Sequence, residues 1–405
     1  MTPADRDGLS IVLSGGGARA AYQMGVLRGL ARHFPEMSFP IIAGVSAGAI
    51  NATYLAAHPG TMAEAALELA QIWGALRVED IFRVDPPSLT GDILRWVRWA
   101  SRLIGDEAVG PVRGFLDTQP LRELIQRVSA TVDGELIGIE SNLREGKLRA
   151  LALTALNYAT GQTVTWAQGQ ELVPWTQSQR RSFHTRITVE HVMASCALPV
   201  VFPAVRLGDS WYGDGGVRLS APLSPALRFG ASRILAISPR YEASHEEADR
   251  PQICGYPPAA QILSHLLDAI FLDVLDEDVR RLQSMNKLLS KLPPEEWGEY
   301  RPVDILVLRP SVDLGKLAMD YEPRLPDTFR LLARSLGTGE VTTSDFLSML
   351  MFQPDYLGCL MDIGEADAEA RLGEIGELLD LTLRSQHLPP PQPSAPAPLP
   401  QAGEG

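Results

Sequence analysis

Cysteine is scarce in this chain of 405 residues: Cys196, Cys254 and Cys359 stand far apart. An odd, scattered set builds no disulfide framework and fits a reducing compartment. No Cys and His cluster with zinc spacing occurs either, so neither a metal nor any other cofactor is expected. Positive charge is also short, with 36 Lys and Arg against 49 Asp and Glu and a formal net charge of -13. Nucleic acid is therefore not an expected partner, because phosphate binding needs a basic surface. The same balance argues against attraction of the whole protein to anionic membranes. Long apolar runs are missing too. None reaches membrane-spanning length, and Met1 to Gly8 lacks a charged-then-apolar targeting pattern. The expectation is a cytoplasmic protein, peripheral to a membrane if it visits one.

What is present is an alternation of short apolar runs with helical patterns, which predicts an α/β fold. Leu9 to Leu13, Pro40 to Ala43, Arg233 to Ser238 and Val303 to Leu308 read as buried strands. Lys147 to Tyr158 and Gln162 to Trp166 read as a strand pair, and Arg206 to Gly213 as a hairpin turning at Gly208-Asp209. Helices are predicted over Ala18 to His33, Ala47 to Ala57, Thr61 to Leu76, Gln119 to Ala130 and Thr188 to Cys196. A long helical region follows over Ala259 to Lys291, and beyond Arg309 the pattern is mainly helical to Ser385. The last segment is dominated by Pro, Ala, Gln and Gly and cannot form a core, so residues 386–405 are expected to be a disordered tail.

Three glycine-framed turns carry chemistry. Gly44-Val45-Ser46-Ala47-Gly48 lies between a predicted strand and a predicted helix. A serine there sits on a sharp turn with its hydroxyl presented outward, and the helix start favours developing negative charge. The bland alternative is a tight turn with Ser46 as helix cap. Ser14-Gly15-Gly16-Gly17-Ala18-Arg19-Ala20 is a second strand-to-helix turn, whose backbone amides can converge on an anion. Its Gly15-x-Gly17-x-x-Ala20 spelling also fits a dinucleotide fingerprint, but that site needs an acidic residue ending the next strand, and Glu36 comes before the strand. An oxyanion hole is the better reading. Trp211-Tyr212-Gly213-Asp214-Gly215-Gly216 places a carboxylate at a strand end, where an ordinary turn is the competing explanation. A serine nucleophile needs a base, and Asp214 qualifies if burial narrows the pKa gap. His184, His191 and His265 are the other candidates, none of them in a glycine-framed loop.

Together these elements resemble the patatin-like phospholipases, which share a Gly-Gly-Gly-x-Arg-Gly loop, a Gly-x-Ser-x-Gly elbow and an Asp-Gly-Gly/Ala motif in this order. Ala194-Ser195-Cys196-Ala197-Leu198-Pro199-Val200-Val201-Phe202-Pro203 is similar to the family's block before the aspartate. The resemblance is best over 9–225. It implies a three-layer α/β/α domain over 9–310 with a central, mostly parallel sheet, then a helical extension over 311–385 in which Ser344-Asp345-Phe346-Leu347-Ser348 is similar to bacterial members. It further implies a catalytic Ser46–Asp214 dyad without histidine, an oxyanion hole at Gly15, Gly16 and Gly17, and Arg19 as a loop-stabilising or phosphate-side cation. Gly44, Gly48, Gly215 and Gly216 support these turns. Ala20 departs from the family's glycine, which bears on how the loop exits. The implied activity is hydrolysis of lipid esters, of phospholipase A or lysophospholipase type, at a membrane or micelle surface. Acyl transfer through the same dyad, or a non-catalytic lipid-binding role, are the alternatives. Residues 92–104 form a further candidate, a basic amphipathic helix with Ile93, Trp96 and Trp99 expected to face a membrane unless that face packs on the body of the protein.

Overall fold

The short apolar runs pair into a sheet buried on both sides. The computed structural model describes residues 8–83, 116–249 apart from 130, 133, 171 and 200, 274–325 apart from 299, then 330 and 345–380. Its strands are β1 (Leu9–Leu13), β2 (Ile41–Val45), the two-residue β3 (Thr131–Val132) and β4 (Glu135–Leu136), β5 (Ala150–Asn157), β6 (Thr163–Gly169), β7 (Arg180–His184), β8 (Val205–Leu207), β9 (Ser210–Asp214), β10 (Arg233–Ile237) and β11 (Asp304–Leu308). The main sheet runs β11-β10-β1-β2-β5-β6-β7, with β9 also on β5 and β8 on β9. Every pair from β11 to β5 is parallel, whereas β6 and β9 run antiparallel to β5. Leu13 lies beside Gly44, and Val45 beside Thr154, so the ends of β1, β2 and β5 meet at one edge.

Side chains alternate along each strand and so feed two separate cores. Ile11, Leu13, Ile42, Leu151 and Leu153 enter the larger one, while Val12, Ile41, Ala43, Ala150 and Ala152 enter the other. The larger core is covered by helices α1 (Ala21–His33), α2 (Ala47–Ala57), α3 (Met62–Ala75), α4 (Gln119–Val128) and α5 (Val189–Ser195). The opposite face is covered in part by α6 (Val274–Leu289) through Leu275 and Val279. The architecture is a three-layer α/β/α sandwich with a mostly parallel sheet. Local signals set the helix starts. Thr61 and Glu64 close a capping box ahead of α3, and Pro120 occupies the first turn of α4, where a missing amide costs nothing.

Downstream come α7 (Leu314–Tyr321), α8 (Asp345–Leu350), α9 (Pro354–Glu369) and α10 (Leu372–Leu379). They join the larger core rather than forming one of their own, through Leu314, Leu347, Tyr356, Leu360 and Ile375. Helix α9 lies directly on α1. A Cβ added to Gly25 would meet the Met361 carbonyl oxygen at 2.0 Å, and one on Gly364 would meet the Tyr22 carbonyl oxygen at 2.2 Å. Arg28 bridges Asp362 at 2.8 Å and Glu365 at 2.6 Å along the seam.

Several details depart from the sequence reading. The helix expected from Ala18 opens as a 3-10 turn, Gly17–Ala20, before α1. Strand β7 and the helix Ile137–Arg144 were not anticipated. β7 is an edge strand, and its Arg180-Arg181 pair obscures the alternation in the way charged residues guard an edge. The expected amphipathic helix 92–104 with Ile93, Trp96 and Trp99, the tail 386–405 and His265 lie outside the described residues. Among the described residues no helix is long and apolar enough to cross a membrane.

Candidate active site

Ser46 occupies the turn between β2 and α2 with φ 57° and ψ -134°, a conformation that side-chain-bearing residues rarely adopt. Among the described residues only Asp380 shares a positive φ without being glycine, and it ends α10 as a left-handed helix cap. Ser46 has no such excuse, since it precedes α2 and its hydroxyl makes no capping bond. The strain is held from outside. The Ser46 amide donates to Ser195 Oγ at 3.0 Å, Ser195 Oγ donates to the Thr154 carbonyl at 2.7 Å, and Cys196 Sγ donates to the Ser46 carbonyl at 3.0 Å. Gly48 lets α2 approach β1, because a Cβ there would meet the Leu13 carbonyl oxygen at 2.2 Å. Gly44 sits one residue before the end of β2, packed on the same first turn of α2.

The glycine loop wraps over this turn. A Cβ on Gly15 would stand 2.8 Å from Ser46 Cβ, and Gly16 and Gly17 take φ values of 151° and 55°. Among the described residues no hydrogen bond occupies the amides of Gly15, Gly16 or Gly17. Ala20, where the family carries glycine, is ordinary right-handed helix at φ -65°, so its methyl group costs no strain. Arg19 is buried and turned towards the C-terminal segment, paired with Asp345 and donating to Ser348 Oγ. A buried polar chain braces the loop from beneath: Trp73 Nε1 donates to Asn51 Oδ1 at 2.8 Å, Asn51 Nδ2 to Gln23 Oε1 at 2.9 Å, and Gln23 Nε2 to the Ser14 carbonyl at 2.7 Å.

Asp214 ends β9 and is fully buried. Its amide donates to the Ala197 carbonyl at 2.8 Å, and its Oδ1 accepts from the Gly216 amide at 2.9 Å. Gly215 follows in the same 3-10 turn, packed on the Thr154 carbonyl. Burial raises the Asp214 carboxyl to about 7, and the Ser46 hydroxyl and Gly216 amide act against that rise. Oδ2 of Asp214 has no hydrogen bond of ordinary geometry in this resting arrangement. The structure thus brings Ser46, Asp214 and the glycine loop to one strand-end edge.

The histidines lie elsewhere in the bonding pattern. His191 Nδ1 is within 2.8 Å of Thr188 Oγ1, its ring stands edge-on to Trp166 at 4.7 Å, and burial lowers it to about 4. His184 pairs with Ala167 at the end of β7. Sequence reasoning missed Ser195 and the polar chain through Gln23 and Asn51. It also missed the pocket that opens from Ser46, a long apolar cavity walled by Ile50, Tyr54, Leu69 and Trp73 from α2 and α3, Leu124 from α4, and Met349, Leu350 and Phe352 from the C-terminal segment. No group of three or more His, Cys, Asp or Glu residues suited to a metal occurs among the described residues.

Residues 11–227 match the family described as patatin-like phospholipase. The chain belongs to that family. Its members are lipid ester hydrolases. Curated proteins give no match to this sequence. Among solved structures the chain is similar to VipD from Legionella pneumophila, at 13% identity and a TM-score of 0.38, covering 92% of this chain and 67% of that one. It is similar also to human GIVD cytosolic phospholipase A2 in complex with methyl gamma-linolenyl fluorophosphonate, at 14% identity and a TM-score of 0.42, covering 93% of this chain and 59% of the human one. A third is ExoU in its heterodimeric complex with SpcU from Pseudomonas aeruginosa, at 17% identity, a TM-score of 0.26 and coverage of 92% and 77%.

Proposed function

We propose that this chain is a lipid acyl hydrolase of phospholipase A or lysophospholipase type, working through a Ser46–Asp214 dyad and an acyl-enzyme. The observation that carries the reading is Ser46 itself, a strained residue that caps nothing and lines an apolar pocket. Strain of this kind persists only where the surroundings impose it, and it gathers at reactive groups. Ser46 Oγ attacks the ester carbonyl while Asp214 takes its proton. The unoccupied amides of Gly15, Gly16 and Gly17 receive the oxyanion. When the tetrahedral intermediate collapses, Asp214 returns the proton to the leaving alkoxide and the acyl chain stays on Ser46 in the pocket. Water activated by Asp214 then releases the acid. An ordinary aspartate is too weak a base for this; one raised to about 7 narrows the gap. The apolar lining supports an acyl chain as the bound portion, presented from a membrane or micelle.

Ser46→Ala should lower ester turnover by roughly a thousandfold or more, towards background. An activated alkyl phosphonate should label wild type and leave Ser46→Ala unlabelled. Labelling that persists in Ser46→Ala sinks the assignment. Product analysis with added alcohol or lysolipid acceptors separates hydrolysis from acyl transfer.

A further inference from the structure

The family match ends at residue 227, yet the pocket at Ser46 is not closed by residues 11–227 alone. Met349, Leu350 and Phe352 form part of its wall, and they belong to a segment that follows Ser46 by some three hundred residues. Phe352 is stacked on Trp73, with ring centroids 6.3 Å apart at 29°, and meets Phe82 edge-on at 6.4 Å and 83°. The pocket follows α2 from Ser46 to Tyr54, eight residues or about 12 Å at the helical rise. The C-terminal side chains therefore bound the space that the acyl chain would occupy.

The same segment touches the glycine loop. The Met349 carbonyl lies so close to Gly17 that a Cβ there would approach it to 2.2 Å. Two residues further on, Arg19 is paired with Asp345 and donates to Ser348 Oγ, with its side chain only 3% exposed. A buried guanidinium paired in this way is costly to leave unpartnered, which fixes the segment on the loop. Three contacts thus hold this short helix on the oxyanion end, while Phe352, two residues past its end, packs at the acyl end.

We propose that residues 345–352 are a specificity-determining wall of the acyl site, with Leu350 and Phe352 setting the chain length accepted and the Arg19–Asp345 pair positioning them. This rests on the acyl-hydrolase reading of Ser46. The wall and the reactive loop then move together, so loosening the anchor affects selection among chain lengths and not only the rate.

The test uses the full chain and p-nitrophenyl butyrate, octanoate, laurate and palmitate. Phe352→Ala should move the kcat/KM optimum to longer esters, changing the long-to-short ratio by roughly tenfold, as a pocket gaining a few methylenes of space does. Leu350→Trp, at a half-buried position, should move it to shorter ones, and Asp345→Asn should flatten the profile. Displacement of a fluorescent fatty acid by saturated acids of increasing length, measured on Ser46→Ala versions of the same proteins, should give the same order. Should Phe352→Ala fail to fold, Leu350→Trp and Asp345→Asn decide the matter. Unchanged profiles in folded variants of an active enzyme overturn the wall while leaving the hydrolase reading standing. A wild type with no Ser46-dependent turnover sinks the hydrolase reading instead, and the displacement series then decides whether the wall selects chain length.

Discussion

The two ends of the pocket are built by different physics. Around Ser46 position is set by backbone: amides, carbonyls and glycines at van der Waals limits, with Ser195, Cys196 and Gly216 each bonded to a specific main-chain or carboxyl atom. Further along α2 position is set mainly by side-chain packing, as Trp73, Phe82 and Phe352 lean on one another and a single bond from Trp73 Nε1 to Asn51 orients the indole. The polar end tolerates almost no change of shape, because a buried donor or acceptor left unmade costs about 1–3 kcal/mol. The apolar end tolerates swaps of similar volume at a lower cost. Geometry is therefore rigidly specified at Ser46 and more tolerant of change around Phe352 within one cavity.

The comparison breaks most readily at Asp214. Asp214→Asn should lower turnover by roughly a thousandfold or more, since no other base replaces the carboxylate. In wild type, activity should rise with pH through about 7, as the carboxyl ionises. Stability should move the other way. The folded-state value is raised above the ordinary 3.8, so the native state holds a proton that the unfolded chain has released between about 4 and 7. The carboxyl's contribution to stability is thus full below about 4 and lost as pH rises through about 7. The melting temperature of Asp214→Asn relative to wild type should climb across that window and level off above it. A flat difference across the window would show that the carboxyl is not raised by burial.

A smaller effect sharpens the contrast at Ser195, which touches no substrate in the proposed reaction but holds the Ser46 amide. Ser195→Ala should lower kcat by roughly ten- to a hundredfold, corresponding to about 1–3 kcal/mol for an unsatisfied amide, with KM nearly unchanged. Loss expressed in KM instead would move Ser195 to the substrate-binding side. The smallest effect is expected at His191. Burial already keeps its ring neutral at physiological pH, and it bonds Thr188 rather than the site. His191→Ala should leave kcat/KM within a few-fold and the pH profile in place; a shifted profile would return a histidine to the mechanism.

The sequence made the polar end legible and left the apolar end dark, for the same physical reason. A strained turn demands glycines at fixed offsets, so Gly15 to Gly17, Gly44, Gly48 and Gly215 advertise their geometry. Strands β1, β2, β10 and β11 were equally plain as short apolar runs bounded by turns. Ile50, Leu69, Trp73 and Phe352 have no such signature, because an apolar residue facing a cavity and one facing a packed core are spelled alike. Asn51 and Gln23 fall within predicted helices, and only the fold shows Asn51 bonded to Gln23 and Gln23 to the Ser14 carbonyl. Strand β7 stayed hidden because an edge carries arginines where a central strand carries valines.

The seam between α1 and α9 has a consequence for synthesis. Arg28 must wait for Asp362, a partner 334 residues later, before that face of α1 is covered. A chain emerging from the ribosome holds the Ser46 turn without the helices that complete its surroundings until α8 and α9 have followed. Contacts so distant in sequence close slowly and leave apolar surface open meanwhile. The order of assembly thus postpones closure of the pocket at Ser46 until the segment carrying Met349, Leu350 and Phe352 has been made.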